Sequence, residues 1–262
     1  MTVDPRVVAE DAQAYLPSRR STIRLDADDV ALRHHPHSPQ SFFGSATRPR
    51  FTEATVEQRV ADVRGWFRDV GRREFNWMVG GSATPTSLVD RLLELGASPA
   101  EDPDGFAMII DVPPPSGAPD IEIRRVSSFA DYEASMRIIF QDASDEAWHE
   151  TEAGLAAAWE EARDDERIYM FLAVDQGQTI AFGQLVWLTN GLPYLGGAGT
   201  LKAARGRGAF RALVRARWDD AAAHGQPVLL VQAGRMSAPI LSGLGFQTVG
   251  TVQTLVDSSA IR

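Results

Sequence analysis

The sequence predicts an α/β fold, a layer with an antiparallel hairpin and a late crossover. Three observations carry that expectation. The second half alternates strand-like and helix-like stretches in the order βααβββαβαβ. Asn190-Gly191 joins two strand-like runs as a hairpin. A glycine-rich strand at 196–201 then runs through a basic loop into an amphipathic helix.

The chain has 262 residues, 44% apolar and 23% charged, a composition that supports a buried core and excludes general disorder. It has no cysteine, which removes disulfides, thiolate metal sites and cysteine nucleophiles. The net charge is −9, so no nucleic-acid partner is expected. Lys202 is the sole lysine among 26 basic residues, a bias that reads as GC-rich coding in a bacterial proteome. The first twenty residues carry Asp4, Glu10 and Asp11 and lack the basic start and apolar run of a signal peptide. No stretch reaches the ~18 apolar residues needed to span a bilayer. A cytoplasmic protein without a membrane partner, monomer or homodimer, is expected.

Four prolines at 113–119 form a stiff extended break that divides the chain into 1–118 and 119–262. In the first part, the proline-flanked 38–41 stretch reads as loop. Val56, Val60, Val63, Trp66, Phe67 and Val70 share one helical face, closed by Gly71. Phe75–Val79 reads as a strand, 85–95 as a helix opening at Pro85 and stopping at Gly96, and 106–112 as a buried strand. His34, His35 and His37 could suggest a metal site; with prolines around them and no matching acid cluster, a solvated loop is the better reading, and no metal is expected.

In the second part, strands are expected at 121–126, 169–174, 179–188, 194–201, 228–232 and 247–256. Helices are expected at 129–140, 152–162 and 238–244, and another carries Phe210, Leu213, Val214, Trp218, Ala221 and Ala222 on one face with Gly225 as its cap. The informative segment is 196–213. Gly206 and Gly208 let successive backbone N–H groups converge at a helix start, where free donors and the macrodipole favour phosphate. Six basic residues (Lys202, Arg205, Arg207, Arg211, Arg215, Arg217) and no acid lie between 202 and 217, which marks an anion site suited to a polyphosphate. A dinucleotide-binding Rossmann loop is rejected, because this loop follows an antiparallel hairpin and Asp219-Asp220 fall inside the helix. A Walker loop lacks its Gly-Lys-Ser/Thr. A tight turn with surface arginines is the competing structural reading.

Arg205-x-x-Gly208, the helix ending near Gly225, the strand at 228–232 and Leu244-Gly245-Phe246 together resemble the acyl-CoA-binding core of the GNAT (GCN5-related) N-acetyltransferases over residues 121–257. The resemblance implies a mixed, mostly antiparallel sheet flanked by helices. It implies acetyl-CoA as co-substrate, with Thr200, Leu201 and Lys202 along the pantetheine. Arg205, Gly206, Arg207, Gly208, Ala209, Phe210 and Arg211 would lie at the pyrophosphate. The first part is similar to a degenerate copy of the same fold without the arginine-glycine loop, so a tandem is expected in which 119–262 is catalytic.

Three positions depart from the family's pattern. Phe210 stands where the family has Gly or Ala, and Leu241 where it often has a general-acid tyrosine; 194–201 contains no Asp or Glu. The segment 142–166 holds ten acids against Arg163, which suits a cationic acceptor. Asp145, Glu146, His149 and Glu150 are the candidate bases there, and Tyr194 and Ser237 the candidates on the thiolate side. The expected activity is transfer of an acetyl group to a primary amine of a small, cationic molecule. The alternative is a catalytically silent acyl-CoA-binding or regulatory module.

Overall fold

The computed structural model describes residues 4–36, 44–118 and 120–258, the side chains of Pro103 and Glu150 excepted. In chain order it contains α1 (Pro5–Glu10), β1 (Ile23–Asp26), β2 (Ala31–His34), β3 (Gly44–Thr47), α2 (Val56–Asp69), β4 (Phe75–Gly80), α3 (Leu88–Glu94) and β5 (Ser98–Ile110). There follow β6 (Glu122–Arg125), α4 (Phe129–Ile139), α5 (Asp145–Ala162), β7 (Ile168–Asp175), β8 (Gln178–Trp187) and β9 (Pro193–Thr200). The chain closes with α6 (Ala209–Ala223), β10 (Leu229–Ala233), α7 (Ala238–Gly243) and β11 (Gln247–Asp257). Its contacts gather into two units. One comprises Met1–Met108 with Gln232–Ser242 and Gln247–Arg262, the other Ile109–Val231 with Gly243–Phe246.

In the first unit β1, β2 and β3 form an antiparallel meander, β3 pairs parallel with β4 across α2, and β11 pairs antiparallel with β4 from Val252 opposite Gly80 to Asp257 opposite Phe75. The helical face read from the sequence is the one that is buried: Val56, Val60, Val63 and Phe67 of α2 pack on Phe75, Trp77 and Val79 of β4 and Leu88 and Leu92 of α3. Phe67 and Phe75 stack at 3.9 Å between ring centroids. The three strands β1–β3 were not expected. Each is only four residues long, too short for an alternation to register.

His34 is not on a solvated loop but buried in β2, and burial lowers its pKa. His35 follows it, its pKa pushed down to about 4 by burial and by Arg33 and Arg19. His37 and the proline-flanked 38–41 stretch lie outside the described residues. Pro85 follows a cis peptide bond rather than opening a helix, and α3 begins at Leu88. β5 begins at Ser98, eight residues before the expected strand, through a Pro- and Asp-rich stretch that reads locally as turn.

In the second unit β6, β7, β8 and β9 form an antiparallel run, and β9 turns parallel to β10 across α6. The order of β1, β2, β3, α2, β4, α3, β5 thus repeats as β7, β8, β9, α6, β10, α7, β11. The β7–β8 turn has Gln176 and Gly177 both in the left-handed region, a type I′ geometry matched to strand twist. Asn190-Gly191 does join β8 to β9, but within a longer loop at 188–192. Asn190 stays out of the left-handed region, and its Oδ1 accepts from the Leu192 amide at 3.2 Å. α5 begins at Asp145 rather than 152, because Ser144 caps it by accepting from the Ala147 amide. Tyr132, Met136 and Ile138 of α4 and Leu155 of α5 pack on Met170, Leu172 and Phe182. Among the described residues no helix is long and apolar enough to cross a membrane.

Candidate functional site

The site is built where β9 leaves the sheet. β9 meets β10 at a single register position, Tyr194 opposite Leu230, so from Leu195 onward its outer edge has no strand partner among the described residues. On its other edge it carries a bulge: between Gly183 opposite Ala198 and Leu185 opposite Leu195, Gln184 alone faces Gly196 and Gly197. Two glycines of this strand answer to neighbours within the protein rather than to a ligand. A Cβ on Gly199 would lie 3.0 Å from Ile138, and one on Gly196 would lie 3.1 Å from Gln184 and Val186.

After β9, a 3-10 turn at Lys202–Ala204 is anchored by buried Ala204. Gly206 (φ 80°) and Gly208 (φ 89°) are both left-handed, which reverses the chain into α6. A Cβ at Gly206 would meet nothing within 4 Å, whereas one at Gly208 would lie 3.1 Å from the Ala118 Cβ. Among the described residues, none of the six consecutive backbone N–H groups from Gly206 to Arg211 has a protein acceptor; the first paired amide is that of Ala212, which donates to the Gly208 carbonyl. Six free donors at the positive end of a fifteen-residue helix form an anion cradle.

The basic residues around this cradle divide by role. Arg205 and Arg211 are exposed and carry no ion pair among the described residues. Arg207 is paired with Asp175, Lys202 with Asp142 at 2.5 Å, and Arg215 with Asp219 at 2.9 Å. Arg215 also donates to the Pro114 carbonyl, and Ala118 lies beside Gly208, so residues 114–118 run along the first half of α6. Arg217 does not belong to the anion patch that its sequence neighbours suggested. It is fully buried, with its pKa lowered to about 9 by desolvation.

Three of the backbone groups expected along a pantetheine arm are already engaged. The Leu201 amide donates to the Ile180 carbonyl, and the side chain of Gln141 bridges the next two groups. Its Oε1 accepts from the Lys202 amide at 3.0 Å, and its Nε2 donates to the Thr200 carbonyl at 3.3 Å. Phe210, the bulky departure in the loop, is half-buried, while Ala209 beside it is buried. The sequence reading does not single out Gln141 or Asp175 and counts Asp142 only among the acids of 142–166, since each reaches the loop from a segment that only folding brings alongside.

No protein-family model matches this chain, and no curated protein matches it. Solved structures do. A GCN5-related N-acetyltransferase from Kribbella flavida superposes with a TM-score of 0.72 at 18% identity, over 98% of this chain and 96% of its own. A functionally unknown conserved protein from Staphylococcus epidermidis gives 0.68 at 13% identity, over 90% and 94%. A tandem GNAT protein from the clavulanic acid biosynthesis pathway gives 0.61 at 15% identity, over 97% and 87%. The chain has the GNAT fold.

Within this GNAT fold the candidate catalytic side chains are distributed over several elements. Glu146 and His149 are exposed on the first turns of α5, one turn apart and so on one face. His149 Nδ1 lies 2.6 Å from the Asp145 carbonyl. A carbonyl accepts only, so Nδ1 carries a proton and donates to it; in the neutral tautomer this bond selects, the lone pair is on Nε2. Glu150 is on the same helix, but its side chain lies outside the described residues. Tyr194 is buried on β9 at the point where β9 and β10 part. Ser237 precedes α7 in the first unit and its Oγ donates to the Gly234 carbonyl at 3.2 Å. Leu241, where the family often has its tyrosine, is buried core.

The acidic segment is partly spent on local pairs. Glu152 pairs with Arg137, Glu160 and Asp164 with Arg163, and Asp165 accepts from the Arg167 amide. Asp145 and Glu146 carry no ion pair among the described residues.

Proposed function

We propose that the chain is an acyl-CoA-dependent N-acyltransferase that moves an acetyl group from acetyl-CoA to a primary amine of a small, cationic acceptor. The observation that carries this reading is the run of six unpartnered amides from Gly206 to Arg211 at the start of α6. In that reading these amides hold the pyrophosphate, and Arg205 and Arg211 add charge beside it. In chain order we assign 119–262 to the acyl-CoA-binding copy and 1–118 to the degenerate one.

The matching turn of the first copy supports that division. Between β3 and α2 the amides of Arg50 and Phe51 donate to the carbonyls of Asp29 and Thr84, and Thr52 and Thr55 satisfy one another. Glu57 in the first turn of α2 would repel an anion.

Acetyl-CoA supplies an activated thioester; the chain has to align the amine, take its proton and return one to the leaving sulfur. In this reading His149 Nε2 takes the proton, with Glu146 and Glu150 on the same helix drawing in the cationic acceptor. Tyr194, in the same unit, is the candidate donor to the sulfur. The silent-module alternative has one observation in its favour, Leu241 buried where the family often has its acid.

Calorimetry with acetyl-CoA, followed by CoA release over a panel of small amines, tests the proposal. Saturable binding with turnover is expected. Binding without turnover on any amine would favour the silent module, and absence of binding would overturn both.

A further inference from the structure

Arg217 presents a buried cation that the proposed chemistry does not use. Its side chain is fully inaccessible, and among the described residues no carboxylate pairs with it and its Nη2 has no hydrogen-bond partner. Nε donates to the Leu213 carbonyl on α6 at 2.9 Å, and Nη1 donates to the Gln184 carbonyl on β8 at 3.1 Å. A guanidinium taken out of water without a counter-charge destabilises a core, and an apolar side chain of similar length would fill the same space. Packing alone therefore does not account for arginine here. The sequence also makes room for it: a Cβ on Gly183 would come within 2.9 Å of the guanidinium Cζ and Nη1.

The residue that Arg217 grips is the one at the irregularity of β9. Gln184 stands alone opposite Gly196 and Gly197, where the ladder slips by one residue. A bulge of this kind bends the strand and re-aims its backbone groups. The helix that carries Arg217 also carries the Gly206–Arg211 amides at its start.

We propose that Arg217 is a positioning residue, which by holding the Gln184 carbonyl fixes the bulge at Gly196–Gly197 and ties the open edge of β9 to the helix bearing the phosphate cradle. The planar fork of arginine suits this, since it reaches a helix carbonyl and a strand carbonyl at once. The inference rests on reading the second copy as an acyl-CoA site. In that site it assigns to Arg217 the alignment of the thioester end and leaves phosphate binding to the loop.

The test uses the full chain with Arg217→Met, Arg217→Lys and Gly183→Ala, the last pressing the guanidinium off its seat. Melting reports folding, calorimetry reports acetyl-CoA affinity, and amide exchange reports the order of 195–199. In folded Arg217→Met, affinity for acetyl-CoA is expected to hold while kcat falls about 100-fold, the scale of a misplacement near 1 Å. Exchange at 195–199 rises, Arg217→Lys recovers part of both, and Gly183→Ala moves both in the direction of Arg217→Met. Unchanged kcat and unchanged exchange in a folded variant would overturn the proposal. If Arg217→Met does not fold, Arg217→Lys and Gly183→Ala decide it by the same readouts. If the wild type binds no acetyl-CoA, the functional reading fails by itself, and exchange confined to 195–199 still decides whether Arg217 sets the bulge.

Discussion

Asp257, the last residue of β11, accepts a hydrogen bond from the indole Nε1 of Trp77 on β4 at 2.9 Å, with neither side chain reaching solvent. Arg64 of α2 donates to the same carboxylate through Nε at 2.9 Å. One acid from the end of the chain thereby satisfies a buried donor and a half-buried cation that lie some 180 or more residues earlier.

Removing that acid is expected to be costly. Asp257→Ala leaves the Trp77 N–H unpaired and Arg64 without its charge partner, so a loss of roughly 3–5 kcal/mol is expected. Asp257→Asn keeps an acceptor and should lose less. Urea unfolding followed by tryptophan fluorescence measures both, and a loss below about 1 kcal/mol for the alanine variant would show that the pair is worth no more than a surface one.

At the cradle, the two left-handed glycines should separate binding from folding. Gly206→Glu places a carboxylate among the free amides with nothing nearby to clash, so only positive-φ strain of about 1–2 kcal/mol is expected alongside loss of acetyl-CoA binding. Gly208→Glu must also displace Ala118 and should lower the melting temperature further. Calorimetry beside thermal melting checks this; acetyl-CoA affinity unchanged in Gly206→Glu would remove the loop from the site.

Acid should weaken the first unit through its histidines. Burial holds His35 down at about 4 from an ordinary value of 6.5, so the unfolded chain binds the proton more readily than the folded one. Stability is then full above about pH 6.5 and falls as the pH drops toward about 4. His34 is shifted in the same direction. His35→Gln should flatten the stability profile across that window in pH-dependent urea unfolding; an unaltered slope would assign the acid sensitivity elsewhere.

Much of the second copy was legible because its signals are local. Helix-like stretches located α4 and α6, strand-like runs on either side of the 175–178 turn located β7 and β8, and Gly206 with Gly208 announced a reversal into a helix. The run of free amides follows from the same short segment, since unpaired backbone donors at a helix start need only that helix and the glycines before it. Strands β1–β3 escaped because four residues carry too little pattern, and the early start of α5 depended on one serine cap.

What the sequence determined by itself was an α/β order, a glycine-arginine loop at a helix start and the absence of cysteine chemistry. Tertiary structure alone decided which arginines are free. Arg211 faces solvent while Arg217 is sealed on the Gln184 carbonyl, though both stand in one basic run. It also decided that β11 closes on β4 and that Gln141 holds the end of β9. These are pairings between distant segments, and a strand's partner or a cation's burial is set by what folding brings against it, which no local pattern records.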